Sequence, residues 1–223
     1  MTRRVPPGES RSSIWPPAFL SFALLATLVF VITSSAARTT AEKSDAFWAS
    51  LQYEFLEAEH YSSLASMTAA ADAVVVGRLT SIEAGRVWGD PPDDAAYYAE
   101  ARLEVKEVVA GTLIDTGGAL RFELFMAEPS VIEHLQANLP SEEAIYFLRN
   151  KGAEAMTLEM SRSEQAREAE YYRLVTMGAV LRNGPDGRTV TIPGRGEPFL
   201  VELAGRPFNA MLDQVRNSLI PDP

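Results

Sequence analysis

From Tyr97 to Val109 apolar and polar side chains alternate. Tyr97, Ala99, Ala101, Leu103, Val105 and Val109 fall on one side, with Glu100, Arg102, Glu104 and Lys106 on the other. Successive side chains of a β-strand point to opposite faces, so this is a long strand with one face buried and one in water, ending at Gly111. Its neighbours stand on either side in the sequence. Asp72 to Ile82 is rich in β-branched residues and reads as a strand before it. Ala119 to Met126 follows as a third, with Leu120, Phe122, Leu124 and Met126 inward and Gly117-Gly118 as the turn. Between the first two strands, Ala84 to Asp94 holds glycines, prolines and aspartates, and the expectation there is an exposed loop.

The rest of the chain continues the β pattern with one helical interruption. Ser130-Val-Ile-Glu133 has the form of a capping box and predicts a short helix that closes near Pro140. Ala144 to Arg149 is a continuous apolar run suited to a strand buried on both faces. Glu154 to Glu170 has high helix propensity without an apolar stripe, so the pattern marks an excursion and does not define its structure. Tyr171 to Val175 and Gly178 to Leu181 predict a fifth strand. Asn183-Gly-Pro-Asp-Gly187 then turns into Arg188 to Ile192 as a hairpin. Pro207 starts a terminal helix with Phe208, Met211, Leu212, Val215 and Leu219 at helical spacing. Upstream, Ser44 to His60 reads as an amphipathic helix carrying Phe47, Trp48, Leu51 and Phe55, capped by Ser44 or Asp45, which either packs on the domain that follows or stands as a stalk, packing being the favoured use.

Three strands, a helix and two further strands is the order of the OB barrel, with its helix between strands three and four. The expected fold is therefore mainly β within the α+β class. It is a five- to six-stranded OB-like antiparallel barrel with N-terminal and C-terminal helices added. Ala71-Asp-Ala-Val-Val-Val-Gly77, Leu103-Glu-Val-Lys-Glu-Val-Val-Ala-Gly111 and Ile145-Tyr-Phe-Leu148 resemble segments of uncharacterised exported bacterial proteins. Those are similar at fold level to the netrin and tissue-inhibitor-of-metalloproteinase barrel. The resemblance covers Ala71 to Leu148 and, more loosely, Tyr171 to Ile192. That inhibitor family depends on an N-terminal cysteine and several disulfides, and this chain has no cysteine. No inhibitory residue carries over, and a shared fold does not fix a shared function.

The N-terminus supplies an address. Arg3, Arg4 and Arg11 outweigh Glu9 ahead of an apolar run from Ala18 to Ile32, which reaches Ala37 without meeting a charge. The positive-inside bias sends everything after Arg38 across a membrane. The run satisfies a signal peptide, with Ser35-Ala36-Ala37 as a small-residue exit, and also a retained anchor of about 20 residues. The implied organisation is a signal or anchor over 1–37, a helical segment over 38–70 and a barrel domain over 71–223. Such a domain is extracytoplasmic, either secreted or held by its N-terminal helix, which is then its one contact with the membrane.

Losing three arginines and one glutamate with residues 1–37 takes the formal net charge from −10 to −12. An acidic domain without a Lys/Arg cluster disfavours nucleic acid and anionic lipid. The partners that remain are another envelope or extracellular protein or a small ligand. Without cysteine there are no disulfides, no thiolate nucleophile and no Cys-based zinc site, so stability rests on a hydrophobic core.

Chemistry-bearing motifs are sparse, and no cofactor is implied. The only histidines are His60 and His134. Glu57-Ala-Glu-His60 has a di-metal Glu/His spacing but lacks a second copy, so it reads as a solvated acidic face. His134 reads as a surface residue. No Gly-x-Ser-x-Gly elbow or phosphate-binding glycine loop is present, and Gly194-Arg-Gly196 lies in a Pro-flanked loop. Asp90, Asp93 and Asp94 lack the EF-hand rhythm, and Pro91-Pro92 between them fits an ordinary turn. Trp88, Asp93 and Asp94 are the candidate partner-binding residues: a loop tryptophan anchors a partner or folds back on the barrel. The reading is a non-enzymatic binding or interaction domain, with an exported hydrolase or a structural subunit of an envelope complex as alternatives.

Overall fold

In the computed structural model, residues 39–51, 59–90, 95–114, 119–156, 160–192 and 197–218 are described. The apolar run over 18–37, Phe55, Glu57, Asp93, Asp94, Gly194 to Gly196 and Leu219 lie outside them. Five strands make the frame. They are β1 (Ala73–Trp88), β2 (Ala96–Gly111), β3 (Leu120–Met126), β4 (Ala144–Asn150) and β5 (Tyr172–Leu174). Their order around the sheet is β1-β2-β3-β5-β4, and pairing of β1 with β4 closes the ring. β6 (Val180–Asn183) continues from β4, and β7 (Thr189–Val190) pairs with β6.

The barrel is mixed, not purely antiparallel as the pattern predicts, because β3 and β5 run parallel through Phe122↔Tyr172 and Glu123↔Arg173. Ring geometry requires this. Directions cannot alternate all the way around an odd number of strands, so at least one neighbouring pair must be parallel. The inward residues make one core, in which Val74, Val75, Leu103, Phe122, Leu124, Ile145, Phe147, Leu148 and Tyr172 are fully or almost fully buried.

β1 runs on to Trp88, through the stretch expected to be a loop. Gly85 explains how: a Cβ there would lie 2.8 Å from the Tyr98 carbonyl oxygen, so only glycine lets the two backbones approach. The register shifts between Ala84 and Val87, a bulge that bends the strand and keeps it paired, with Val87 opposite Tyr97 and Trp88 opposite Ala96.

Seven helical segments accompany the sheet in the described residues. α1 occupies residues 39–50 and starts earlier than the capping pattern implies, so Ser44 lies inside it. Phe47, Trp48 and Leu51 are buried in the core, as expected of a helix packed on the domain. α2 (Leu64–Ala70) leads into β1 with a real capping box between Ser63 and Ser66. α3 (Val131–Ala137) lies against β1, where the Gln136 amide donates to the Ile82 carbonyl. Its predicted capping box does not form: Ser130 is itself in the αR conformation and makes no side-chain cap bond.

α4 (Lys151–Ala155) and α5 (Arg162–Glu168) build the excursion. There the capping box is Ser161 with Glu164, each side chain accepting from the other's backbone N–H. α6 (Pro198–Leu203), which the apolar pattern does not announce, and α7 (Phe208–Asn217) finish the described chain. Phe208, Met211, Leu212 and Val215 of α7 are buried, and the helix packs on β2 and α2.

The predicted fifth strand is two strands. β5 and β6 share one edge of β4, β5 pairing at Leu148 to Asn150 and β6 at Ala144 to Tyr146. Residues 175–179 make the step between them and carry no ladder of their own.

Candidate functional site

The outer face of β2 and β3 is the polar side of the alternation, but part of it is not in water. α4 and α5 lie over it, leaving the Glu123 side chain 1% exposed and the Glu168 side chain 6%. Two buried carboxylates demand compensation, and two cations provide it. Arg86, turned outward at the β1 bulge, grips Glu123 with Nε at 2.5 Å and Nη2 at 2.6 Å and also bonds Glu168. Lys151 bonds Glu123 and stands 3.2 Å from Glu168. Burial pushes the Glu168 carboxyl up, but the Arg86 hydrogen bond and the Lys151 and Arg86 charges outweigh it and hold the group below its usual value.

A second pair adjoins this ring. Arg121 forks onto Glu100 at 2.8 and 2.9 Å, and the Tyr171 hydroxyl donates to Glu100 at 3.0 Å. That fork is the main reason Glu100 is lowered. The rings and guanidinium planes form a stack along the face. Arg121 lies 4.3 Å from the Tyr171 ring centre, Arg86 lies 4.6 Å from the same ring, and Arg86 lies 5.4 Å from the Trp88 ring. The order Arg121, Tyr171, Arg86, Trp88 is thus an alternation of cations and π faces, each contact worth about 0.5–2 kcal/mol by burial. Trp88 is its last member and is 40% exposed.

The Trp88 ring leans on the barrel through Arg86 and keeps part of its surface open. Tyr98 and Phe125 stand beside it as an edge-to-face pair at 5.6 Å, joined across β2 and β3 as register partners. Asp90 is exposed just beyond Trp88, while Asp93 and Asp94 fall outside the described residues. Arg86, Glu123, Lys151 and Glu168 were not among the predicted site residues. The alternation of β2 and β3 marks their outer face but carries no sign that residues 151–170 return to cover it.

The excursion has a second side. Between it and the barrel end lies a groove of about 660 Å³. Its floor is Tyr172, whose hydroxyl accepts the Ile114 N–H at 2.8 Å, and Asn150, whose amide donates to the Ala169 carbonyl and accepts from Gly152 N–H. Gly152 lets α4 approach α5, since a Cβ there would lie 2.7 Å from that of Ala169.

Elsewhere, His134 is exposed at α3, and His60 is exposed with Nδ1 3.1 Å from Glu197. Among the described residues no group of three His, Asp or Glu side chains could hold a metal ion, and no helix is long and apolar enough to cross a membrane.

Glu59 sits between Arg149 and Arg173. The Arg149 hydrogen bond, followed by that of Tyr61, holds its carboxyl at about 2, below the ordinary 4.5. A carboxyl lowered on folding stabilises the protein above its unfolded value, and that contribution disappears as pH falls from about 4.5 through about 2. Glu59→Gln is therefore expected to lower stability at neutral pH and to leave it unchanged near pH 2, as read by urea unfolding at both.

No protein-family model, curated protein or solved structure matches this chain.

Proposed function

We propose that the chain is an extracytoplasmic binding domain on an OB-like barrel. It is sent across a membrane by residues 18–37 and recognises another envelope or extracellular protein through the face that ends in Trp88. The observation that carries this reading is the half-exposed tryptophan on a stack of guanidinium and tyrosine groups, mounted on a closed sheet. A large ring whose orientation is already held loses little freedom when a partner covers it, which is what a binding hot spot needs. OB barrels bind across strands two and three and the loop joining strands one and two, and Trp88, Tyr98 and Phe125 belong to that region here. The order of β3, α3 and β4 supports the OB assignment, and with it the fold-level likeness to the netrin and tissue-inhibitor barrel. Asp90, exposed two residues beyond Trp88, and the formal net charge of −10 favour a neutral or cationic partner.

The test uses Trp88→Ala. With the full-length chain as bait in envelope extract, a retained partner is expected to lose at least about 2 kcal/mol of affinity, roughly thirty-fold. Equal retention by parent and variant would remove Trp88 from the reading. The address is tested separately by sequencing the N-terminus of the chain recovered from cells. A start near Arg38 indicates a cleaved signal, and an intact start in the membrane fraction indicates an anchor.

A further inference from the structure

The groove on the far side of the α4–α5 excursion has a charge arrangement of its own, independent of Trp88. Its barrel wall carries Asp72, Thr112 and Ile114, and its helical wall carries Met156, Arg162 and Gln165. Asp72 accepts the Asn150 N–H at 2.8 Å yet makes no ion pair among the described residues. Arg162 makes neither a hydrogen bond nor an ion pair there, although it occupies the first position of α5, where the helix dipole disfavours a cation. An anion on one wall and a cation on the other thus face a common space without meeting. Between them stand two of the largest apolar exposures in the described chain, Met156 at 70% and Ile114 at 48%. Exposed apolar surface within a concavity is stabilised when a ligand covers it.

We infer that this groove binds a short apolar peptide with both ends free, its terminal ammonium on Asp72, its carboxylate on Arg162 and its side chains on Ile114 and Met156. The arrangement is complementary in three respects. Asp72 is an acceptor-only group already oriented by the backbone of β4, suited to an ammonium. Arg162 presents a planar fork that matches a carboxylate. A groove of this volume holds a ligand of drug-like size, a peptide of about three residues. An anion such as a fatty acid would leave Asp72 repelling it, and a simple amine would leave Arg162 unused, so a zwitterion satisfies both walls.

Titration of Leu-Ala-Leu into the full-length chain in lipid nanodiscs, followed by calorimetry against empty nanodiscs, tests this. The free peptide is expected to bind about five-fold more tightly, or better, than its N-acetyl and its C-amide forms. Arg162→Gln should abolish the advantage of the free carboxylate, and Asp72→Asn that of the free amine, while Trp88→Ala changes neither. Arg162 is exposed and makes no hydrogen bond or ion pair among the described residues, so its substitution spares the fold. The blocked peptides carry the comparison on the parent protein even if Asp72→Asn fails to fold. Absence of binding up to about 1 mM, equal binding of free and blocked peptides, or unchanged binding by Arg162→Gln would each overturn the inference. A loss of peptide binding on Trp88→Ala would also overturn it, by moving the peptide to the other face.

Discussion

Arg86→Ala is expected to destabilise the domain by about 3–5 kcal/mol at neutral pH, the cost of leaving a buried ionic group without its partner. For a domain of this length that corresponds to a fall in Tm of roughly 10 °C. The reasoning starts from Glu123 and Glu168, both almost fully buried, which share Arg86 and Lys151 between them. Without the guanidinium, one ammonium faces two carboxylates, and the Tyr171 and Trp88 rings lose the cation between them.

The pH dependence distinguishes this from simple loss of packing. In the parent, Glu168 is held below its ordinary value, so its contribution is present above that value and is lost as pH falls. In the variant a buried, under-compensated carboxylate takes up a proton more readily on folding. The deficit is therefore largest at neutral pH and shrinks toward acid. Chemical denaturation of both proteins at several pH values measures it. A deficit under about 1 kcal/mol at every pH would mean that the excursion is not held by this ring.

Trp48→Ala should have a comparable effect, about 3–5 kcal/mol, because it empties the space of a fully buried indole packed edge-to-face on Phe47 at 5.1 Å. α1 is attached to the rest of the domain by Phe47, Trp48 and Leu51 in the core and by polar contacts that include Ser44 donating to Glu142 and Arg182 donating to Ser44 and to Asp45 at 2.7 Å each. Trp48→Phe tests the indole separately. Among the described residues Trp48 Nε1 is buried without a hydrogen-bond partner, so removing it relieves an unsatisfied donor that costs about 1–3 kcal/mol. The phenylalanine variant should lie far closer to the parent than the alanine variant does. If both variants unfold at the same urea concentration, the burial of Trp48 in the core is not what seats α1.

The strands that were legible in the sequence share one property: their pattern is local. β2 and β3 alternate, β4 is continuously apolar, and each periodicity follows from which faces are covered. The departures occur where a distant segment decides. β1 continues past Ala84 because Gly85 can approach the Tyr98 carbonyl, a contact invisible in a window rich in turn-forming residues. Ser130 fails as a cap and Ser161 succeeds, although both are followed three residues later by glutamate. The difference is the backbone conformation, αR at Ser130 and extended at Ser161, which sequence spacing does not specify. Among the site residues, Trp88 was legible as a large ring beside turn signals, whereas Arg86 and Glu168 are separated by most of the barrel along the chain.

Sequence alone determined that a basic head precedes an apolar run at the N-terminus, that the chain is acidic overall, and that its core strands carry a β pattern. Composition and local periodicity suffice for those, since each depends on charge, hydrophobicity or the two faces of a strand. Tertiary structure alone decided that the barrel closes through a parallel β3–β5 pair, because ring closure is a property of all five strands at once. It also decided that an excursion without an apolar stripe covers the outer face of β2 and β3. The attachment there is ionic, through Lys151 and Glu168, and a hydrophobic pattern carries no trace of it.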